Sequence, residues 1–339
     1  MVFHLASNTE RLALMRVFRS FENLPIDARG AVVAIGNFDG LHLGHQTILS
    51  HARKMAATLN APLAILTFEP HPRMIFRAGE PPFRLTSAQD RVAAAAELDV
   101  DLFYEIEFDR AFSALTAEEF IKKVLVDGLG VRHVVVGWDF CFGKGRSGNV
   151  DTLRENGEKD GFGVSAVDAV THDNGVVYSS TAIRQALREG RPEDARTLLG
   201  RPWEIGGIVI HGDARGRTIG FPTANVALGL HLRPKFGVYA VRLGLVAQDG
   251  SHHVEGWIDG VANIGIRPSF GGDAQAGLEA HLFDFDRDIY GRTVRVRLIG
   301  FIRGEQKFDG LDALKAQIGR DVNTAREILA ANPPVNPGI

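Results

Sequence analysis

Residues 31–45 read Ala31-Val32-Val33-Ala34-Ile35-Gly36-Asn37-Phe38-Asp39-Gly40-Leu41-His42-Leu43-Gly44-His45. The first five form a short apolar run, the composition of a strand covered on both faces. Gln46 to Leu59 follows, with Leu49, Ala52, Ala56 and Leu59 at helical spacing. A buried strand that enters a glycine-rich loop and then a helix opens an α/β unit, and ligands of such units sit outside the carboxyl ends of the strands. Gly36, Gly40 and Gly44 let backbone approach a ligand closely. His42 and His45 flank Gly44, so both rings can face one phosphate chain at a helix N-terminus, where free N–H groups and the helix dipole favour anions. Taken alone, the string also suits a glycine-rich turn with two surface histidines.

Outward from this string the strand–helix alternation continues. Pro62 to Phe68, Asp101 to Tyr104 and His133 to Val136 are strand-like, and Ser87 to Leu98 and Ala117 to Leu125 have helical spacing. This predicts a parallel sheet with helices on both faces. Thr181 to Glu189 reads as a further helix, capped by Ser179 or Ser180 and stopped by Gly190 and Pro192. Pro192 to Pro202, with a short helical piece at Glu193 to Leu199, reads as a connection. Beyond it the period changes to two. Ile205 to His211, Gly237 to Leu243, Val254 to Asn263, Leu278 to Phe285 and Val294 to Ile302 read as strands, the last alternating Val294, Val296 and Leu298 with Arg295 and Arg297. Leu311, Leu314, Ile318, Ala325 and Leu329 then mark a terminal helix. The expectation is a small antiparallel β-barrel with a helix packed on it, covering residues 203–330, after an α/β domain covering residues 1–190. The Pro-rich end, Asn332 to Ile339, is expected to be disordered.

The ten-residue string 36–45 resembles the His-x-Gly-His signature of the nucleotidyltransferase superfamily, in the form seen in bacterial FAD synthetases. Three ordered segments agree: Thr67-Phe68-Glu69-Pro70-His71-Pro72, Val135-Val136-Gly137-Trp138-Asp139-Phe140-Cys141-Phe142-Gly143-Lys144, and Ser179-Ser180-Thr181-Ala182-Ile183-Arg184. The resemblance implies a Rossmann-like nucleotidyltransferase sheet and adenylyl transfer from ATP to FMN without a covalent enzyme intermediate. It implies that His42 and His45 contact the triphosphate, and that Ser180 and Arg184 hold its pyrophosphate end. Gly36, Asn37, Phe38, Asp39, Gly44, Ser179 and Thr181 would help bind the nucleotide, and Asp139 and Phe140 would line the flavin pocket. His71 stays open between a direct contact and a turn residue between two prolines. Trp138 and Cys141 fill positions expected to vary.

Residues 211–225 read His211-Gly212-Asp213-Ala214-Arg215-Gly216-Arg217-Thr218-Ile219-Gly220-Phe221-Pro222-Thr223-Ala224-Asn225. Their glycines suit a loop that wraps phosphate with backbone N–H groups. Thr223 and Asn225 offer hard oxygen ligands suited to Mg²⁺. The segment resembles the riboflavin kinase signature. Pro234 to Tyr239, Asn263 to Pro268, Leu278 to Phe285, Asp288 to Gly291, Ile302-Arg303 and Lys307-Phe308 also match. The resemblance implies that Gly212, Asp213, Arg217, Gly220 and Pro222 form the ATP loop. It implies that Thr223 and Asn225 hold Mg²⁺, and that Glu279 is the base for the riboflavin 5′-hydroxyl. Glu279 and His281 lie two apart on one strand face, and His281 stays open between lining the site and supporting it. Ser269 stands where the family usually has Thr.

Composition narrows the partners. A formal net charge of −3 gives no global basic field for nucleic acid. No apolar run has the length of a signal peptide or a membrane span. Cys141 is the single cysteine, which excludes an intrachain disulfide. A cytoplasmic enzyme acting on riboflavin, FMN and ATP is expected, with flavin-dependent apoenzymes as recipients of its product and self-association left open. Three alternatives compete with it. A monofunctional descendant or a non-enzymatic flavin-binding regulator would lack a phosphate-loop or base residue, and none is missing. A class I aminoacyl-tRNA synthetase relative leaves the second domain unexplained.

Overall fold

The structure is a computed structural model that describes residues 15–171, 175–212, 220–249, 253–268 and 274–334. The chain forms two compact units. One is built from the residues up to Glu80 with Ala88–Tyr178, the other from Pro81–Ser87 with the chain from Ser179 onward.

The first unit is a six-stranded sheet of β1 (Arg16–Phe18), β2 (Val32–Ile35), β3 (Leu63–Glu69), β4 (Leu102–Glu107), β5 (His133–Gly137) and β6 (Gly163–Val167), in the order β1-β4-β3-β2-β5-β6. Every neighbouring pair is parallel. All four residues of β2 are buried, and alternation sends them to two cores. Val32 and Ala34 pack with Leu49 and Ala52 of α1 (Leu43–Leu59) and with Ala95 and Ala96 of α3 (Ala88–Glu97). Val33 and Ile35 share the opposite core with Phe120, Ile121 and Leu153. Phe120 and Ile121 belong to α4, whose first turn is Ala117–Glu119 and whose π-wound body is Phe120–Gly128. Leu153 belongs to α5 (Val150–Asp160). A sheet covered on both faces needs strands apolar at every position, as found here. Between β3 and α3 lies the short α2 (Pro72–Phe76). The strand order reverses at β2, which has β3 on one side and β5 on the other. The loops leaving β2 and β5 therefore flank a crevice at the carboxyl edge.

The sequence reading lacks β1, β6 and α5. β1 is three residues long, and α5 offers few apolar positions for a periodicity; its start is marked by a capping box between Asn149 and Thr152.

The second unit is a closed barrel of β7 (Trp203–Ile210), β8 (Ala224–Ala227), β9 (Gly237–Val246), β10 (Val254–Pro268), β11 (Ala274–Leu282) and β12 (Thr293–Gly304), ordered β10-β11-β8-β7-β12-β9. All pairings are antiparallel. Val294, Val296 and Leu298 are buried while Arg295 and Arg297 are half-buried, the alternation read from the sequence. The terminal helix α8 (Leu311–Ala331) lays Ala325 and Leu329 against Val238, Ala240 and Val261. Its end is held by the buried Arg242, which donates to the carbonyls of Leu329 (2.9 Å) and Asn332 (2.6 Å) and pairs with Asp259 (2.8 Å). A cation at a helix C-terminus satisfies carbonyls that have no intrahelical partner.

Helices α6 (Ser180–Arg188) and α7 (Pro192–Leu199) also belong to this unit. The stretch read as a connection is thus mostly helix, with Ala195, Leu198 and Leu199 buried. Residues 81–87 join the unit through backbone and side chain. Leu232 N–H donates to Arg84 O (2.8 Å), Arg84 N–H to Leu230 O (3.3 Å), and Trp203 Nε1 to Leu85 O (2.8 Å). Among the described residues no helix is long and apolar enough to cross a membrane.

Candidate functional site

At the switch point of the first unit, residues 36–42 link β2 to α1. His42 is the N-cap of α1, and its Nδ1 accepts the His45 backbone N–H at 3.3 Å. Accepting that bond places the proton of the neutral ring on Nε2. The His42 and His45 rings stack with centroids 3.6 Å apart and planes 22° apart. The His45 ring also meets Phe38 at 5.1 Å. Gly44 makes this stack possible: a Cβ there would lie 2.9 Å from Tyr178 O and 3.1 Å from His42 Nδ1. Phe38, Asp39 and His42 are buried. The two histidines singled out from the sequence are therefore brought together, over the first turn of a helix, where early N–H groups and the helix dipole favour an anion.

The loop is fastened at both ends. The Asn37 carbonyl accepts from Thr67 Oγ1 (3.2 Å) and from Arg91 (3.2 Å). The Leu41 carbonyl accepts from Gln46 Nε2 (3.0 Å). Arg91 is wholly buried and also binds Glu69 Oε2 (2.9 Å) and Glu105 Oε1 (3.0 Å). Sequence reading missed Arg91 and Glu105. Arg91 carries no local signal, since an arginine on a helix reads as solvated. His71 is mostly buried and caps α2, its Nδ1 accepting from Arg73 N–H at 3.1 Å, which supports the turn role.

Beyond β3 and β5 the unit presents linked aromatic rings that were also missed as a set. Phe68 meets Phe108 and Phe112 at 5.6 Å each, Phe112 meets Phe120 at 6.1 Å, and Phe120 meets Phe142 at 5.3 Å. Phe140 stacks on Phe142 at 5.5 Å and 16°. At the outer end Phe76 meets Phe108 at 5.8 Å and is 66% exposed. Asp139 is exposed in the loop after β5.

Within the second unit, Ser179 caps α6 by accepting Ala182 N–H on Oγ (3.2 Å), so its hydroxyl serves the helix. Ser180 and Thr181 occupy the first turn. Arg184 is buried, donates from Nε to Phe83 O (2.9 Å) and lies over the Phe83 ring at 5.4 Å.

The barrel forms the other candidate site. Glu279 on β11 stands directly opposite Asn225 on β8 and Asn263 on β10. Directly opposed residues share a face, so the Glu279 carboxylate and the Asn225 amide are neighbours. Asn225 is buried and donates from Nδ2 to Thr223 O at 3.3 Å. Gly212 is required beside it, because a Cβ there would lie 2.5 Å from Asn225 Nδ2. His281 donates from Nδ1 to Pro222 O (2.9 Å) and meets the Phe221 ring edge-on at 5.2 Å. That bond ties the His281 ring to the loop. A cleft of about 360 Å³ opens beside these residues, lined by Pro222, Thr223, Ala280, Leu282 and the 285–290 segment. Glu279 points to the other strand face from Ala280 and Leu282. Gly220 lies at the turn before Pro222, whereas Asp213, Arg217 and Ser269 lie outside the described residues. Among the described residues no three His, Cys, Asp or Glu side chains converge as metal ligands.

Comparison with known proteins covers both halves of the chain. A family model described as FAD synthetase matches residues 24–182, and one described as riboflavin kinase matches residues 199–329. The bifunctional riboflavin kinase/FMN adenylyltransferase of Escherichia coli (strain K12) is 44% identical over 322 residues, covering 94% of this chain and all of that one. The protein of the same description from Bacillus subtilis (strain 168) is 39% identical over 87% of this chain and 91% of its own. A solved structure described as a macrolide-efflux protein from Streptococcus pneumoniae superposes with a TM-score of 0.79 at 31% identity, covering 92% of this chain and 99% of that chain.

Proposed function

The chain belongs to the bifunctional riboflavin kinase/FMN adenylyltransferase family, and from that premise we propose which of its residues carry each reaction. The enzyme phosphorylates riboflavin with ATP to give FMN, then adenylylates FMN with a second ATP to give FAD and pyrophosphate. We assign the adenylyl transfer to residues 1–190 and the kinase to residues 203–330.

In adenylyl transfer a phosphate oxygen of FMN attacks the α-phosphorus of ATP, and pyrophosphate departs. Negative charge grows on the bridging and non-bridging oxygens, so the protein's part is placement and charge stabilisation. The observation that carries the assignment is the capping bond from His45 N–H to His42 Nδ1. Together with the ring stack, that bond holds both imidazoles over the helix N-terminus. His45 and the first-turn N–H groups complete the cradle, and the family resemblance assigns Arg184 and Ser180 to the pyrophosphate. Ser179 contributes through the cap that fixes Ser180. The aromatic run from Phe68 to Phe142, with Phe76 at its open end, suits a flat apolar ring system such as isoalloxazine.

In the kinase step the ribityl 5′-hydroxyl attacks the γ-phosphorus of ATP while Glu279 removes its proton, and ADP leaves. Asn225, opposite Glu279 on the neighbouring strand, lies on the same face of the barrel. Thr223 and Asn225 are hard oxygen donors next to a phosphate loop, a donor set that fits Mg²⁺. When bound, Mg²⁺ neutralises phosphate charge. Dependence on ATP and the single Cys141 support a cytoplasmic location, with flavin-dependent apoenzymes as recipients of the product.

Separate substitutions test the assignment. Glu279→Gln nearly preserves shape, and FMN formation should fall by about 10²–10⁴-fold, the range for loss of a general base, while supplied FMN is still converted to FAD. His42→Ala should lower FAD formation by about 10²–10³-fold while FMN accumulates. Chromatography of riboflavin, FMN and FAD reads both. A folded variant that loses both activities would overturn the two-site assignment.

A further inference from the structure

We propose that Arg91, together with Thr67, is a positioning residue for adenylyl transfer, acting through the carbonyl of Asn37. The proposal rests on the assignment of residues 36–45 to that reaction.

Asn37 is the second residue after β2 and lies five residues before His42. Its carbonyl accepts two hydrogen bonds, both 3.2 Å and both from outside its own loop. Thr67 Oγ1 supplies one from β3. The Arg91 guanidinium supplies the other from α3. The remaining end of the guanidinium is fixed by Glu69 at 2.9 Å and Glu105 at 3.0 Å, carboxylates on β3 and β4. Arg91 is 0% exposed. A buried ion pair is by itself weak evidence for stability, because desolvation offsets much of the attraction. This one does more than pair charges. One N–H of a rigid planar fork points away from the carboxylates and ends on the loop that carries His42. Lysine could not serve both directions, because its ammonium is a single compact charge whereas the guanidinium is a fork. Thr67 is also 0% exposed, so its hydroxyl is held in the direction of the carbonyl.

The consequence is a rigid start for the loop. Gln46 fixes the other end by its bond to Leu41 O (3.0 Å). Asp39 and Phe38 are buried between these anchors. With both ends tied, the His42 ring has one position relative to the carboxyl edge of the sheet. Loosening the Asn37 end lets the loop, and with it His42, drift from the reacting phosphorus. The triphosphate is gripped by many groups, so the loss falls on the chemical step rather than on binding.

The test compares Thr67→Val and Arg91→Lys with the parent full-length enzyme. Steady-state kinetics of FAD formation are measured over ATP concentration, with riboflavin phosphorylation and thermal melting read on the same samples. Thr67→Val should lower kcat for FAD formation about 3- to 10-fold, and Arg91→Lys about 100-fold, the scale of an ångström-sized misplacement. KM for ATP should stay within about twofold, and riboflavin kinase activity should equal that of the parent. Should Arg91→Lys melt early, Thr67→Val still decides, since it removes no charge. Unchanged kcat and KM in a folded Thr67→Val or Arg91→Lys enzyme would overturn the proposal. Losses that fall equally on both reactions, or disappear at temperatures where the variant is fully folded, would overturn it too, reducing Arg91 to a core ion pair. Failure of the underlying assignment looks different: His42→Ala would then leave FAD formation intact.

Discussion

Replacing Gly44 by alanine adds one methyl group, and the structure says where it lands. The new Cβ would sit 2.9 Å from the Tyr178 carbonyl oxygen, 3.1 Å from His42 Nδ1 and 3.2 Å from His42 Cε1. Ordinary carbon contacts begin near 3.5 Å, so the overlap is about 0.6 Å with backbone and about 0.3–0.4 Å with the ring. Gly44 is the second residue of α1, where alanine is intrinsically favoured over glycine by up to ~1 kcal/mol. Overpacking costs about 1–3 kcal/mol, so the net loss of stability should be about 0–2 kcal/mol and the protein should fold. The 2.9 Å contact with the Tyr178 carbonyl forces the first turn of α1 to shift, and the contacts at 3.1 and 3.2 Å press on the His42 ring, so the stack with His45 is disturbed. A shift of about half an ångström at a charge-stabilising donor should lower FAD formation by about 10- to 100-fold. FMN formation should be unaffected, because Glu279, Asn225 and Thr223 belong to the other unit. The assay is chromatographic separation of FAD made from supplied FMN and MgATP, with riboflavin phosphorylation and thermal melting in parallel. A folded Gly44→Ala enzyme with the parent FAD rate would refute the claim that the stacked histidines act at that position.

Two further outcomes are expected. Chelation by EDTA should stop both reactions and added Mg²⁺ should restore them; undiminished kinase turnover in metal-free buffer would remove Thr223 and Asn225 from the role assigned to them. A fragment of residues 179–339 should fold and phosphorylate riboflavin, though less stably than the full chain. It lacks residues 81–87 and their bonds to Trp203, Leu230 and Leu232, worth about 1 kcal/mol each. A fragment of residues 203–339 should be weaker still, since it also loses Ile183, Leu187, Ala195 and Leu199, which α6 and α7 bury. Equal melting temperatures for the two fragments would contradict this.

Local patterns made much of this protein legible. The five apolar residues of Ala31 to Ile35 read as a strand covered on both faces, and the glycine–histidine string after them as a loop between that strand and a helix, which is how the structure has them. The alternation of Val294, Val296 and Leu298 with Arg295 and Arg297 announced a half-exposed antiparallel strand. Those periods follow from backbone geometry, which acts within a few residues. His42, His45 and Asn225 were visible because each lies in a short string whose spacing has chemical meaning, and Glu279 through the resemblance of its segment to the riboflavin kinase signature.

Tertiary structure decided what depends on residues far apart in the chain. β1 is three residues of edge strand, ordered by pairing with β4 some 86 positions away. The Asn225–Glu279 pair exists because β8 and β11 align in one register. The linked phenylalanines come from several elements and carry no common sequence period. Residues 81–87 leave the first unit and join the second through bonds to positions 203 and 230–232, which no local propensity encodes. Arg91 reads in sequence as a solvated helix residue and in the fold as the buried hub between Asn37, Glu69 and Glu105. Desolvating a guanidinium is tolerable only where several acceptors converge on it, and that convergence exists only once β2, β3, β4 and α3 have packed.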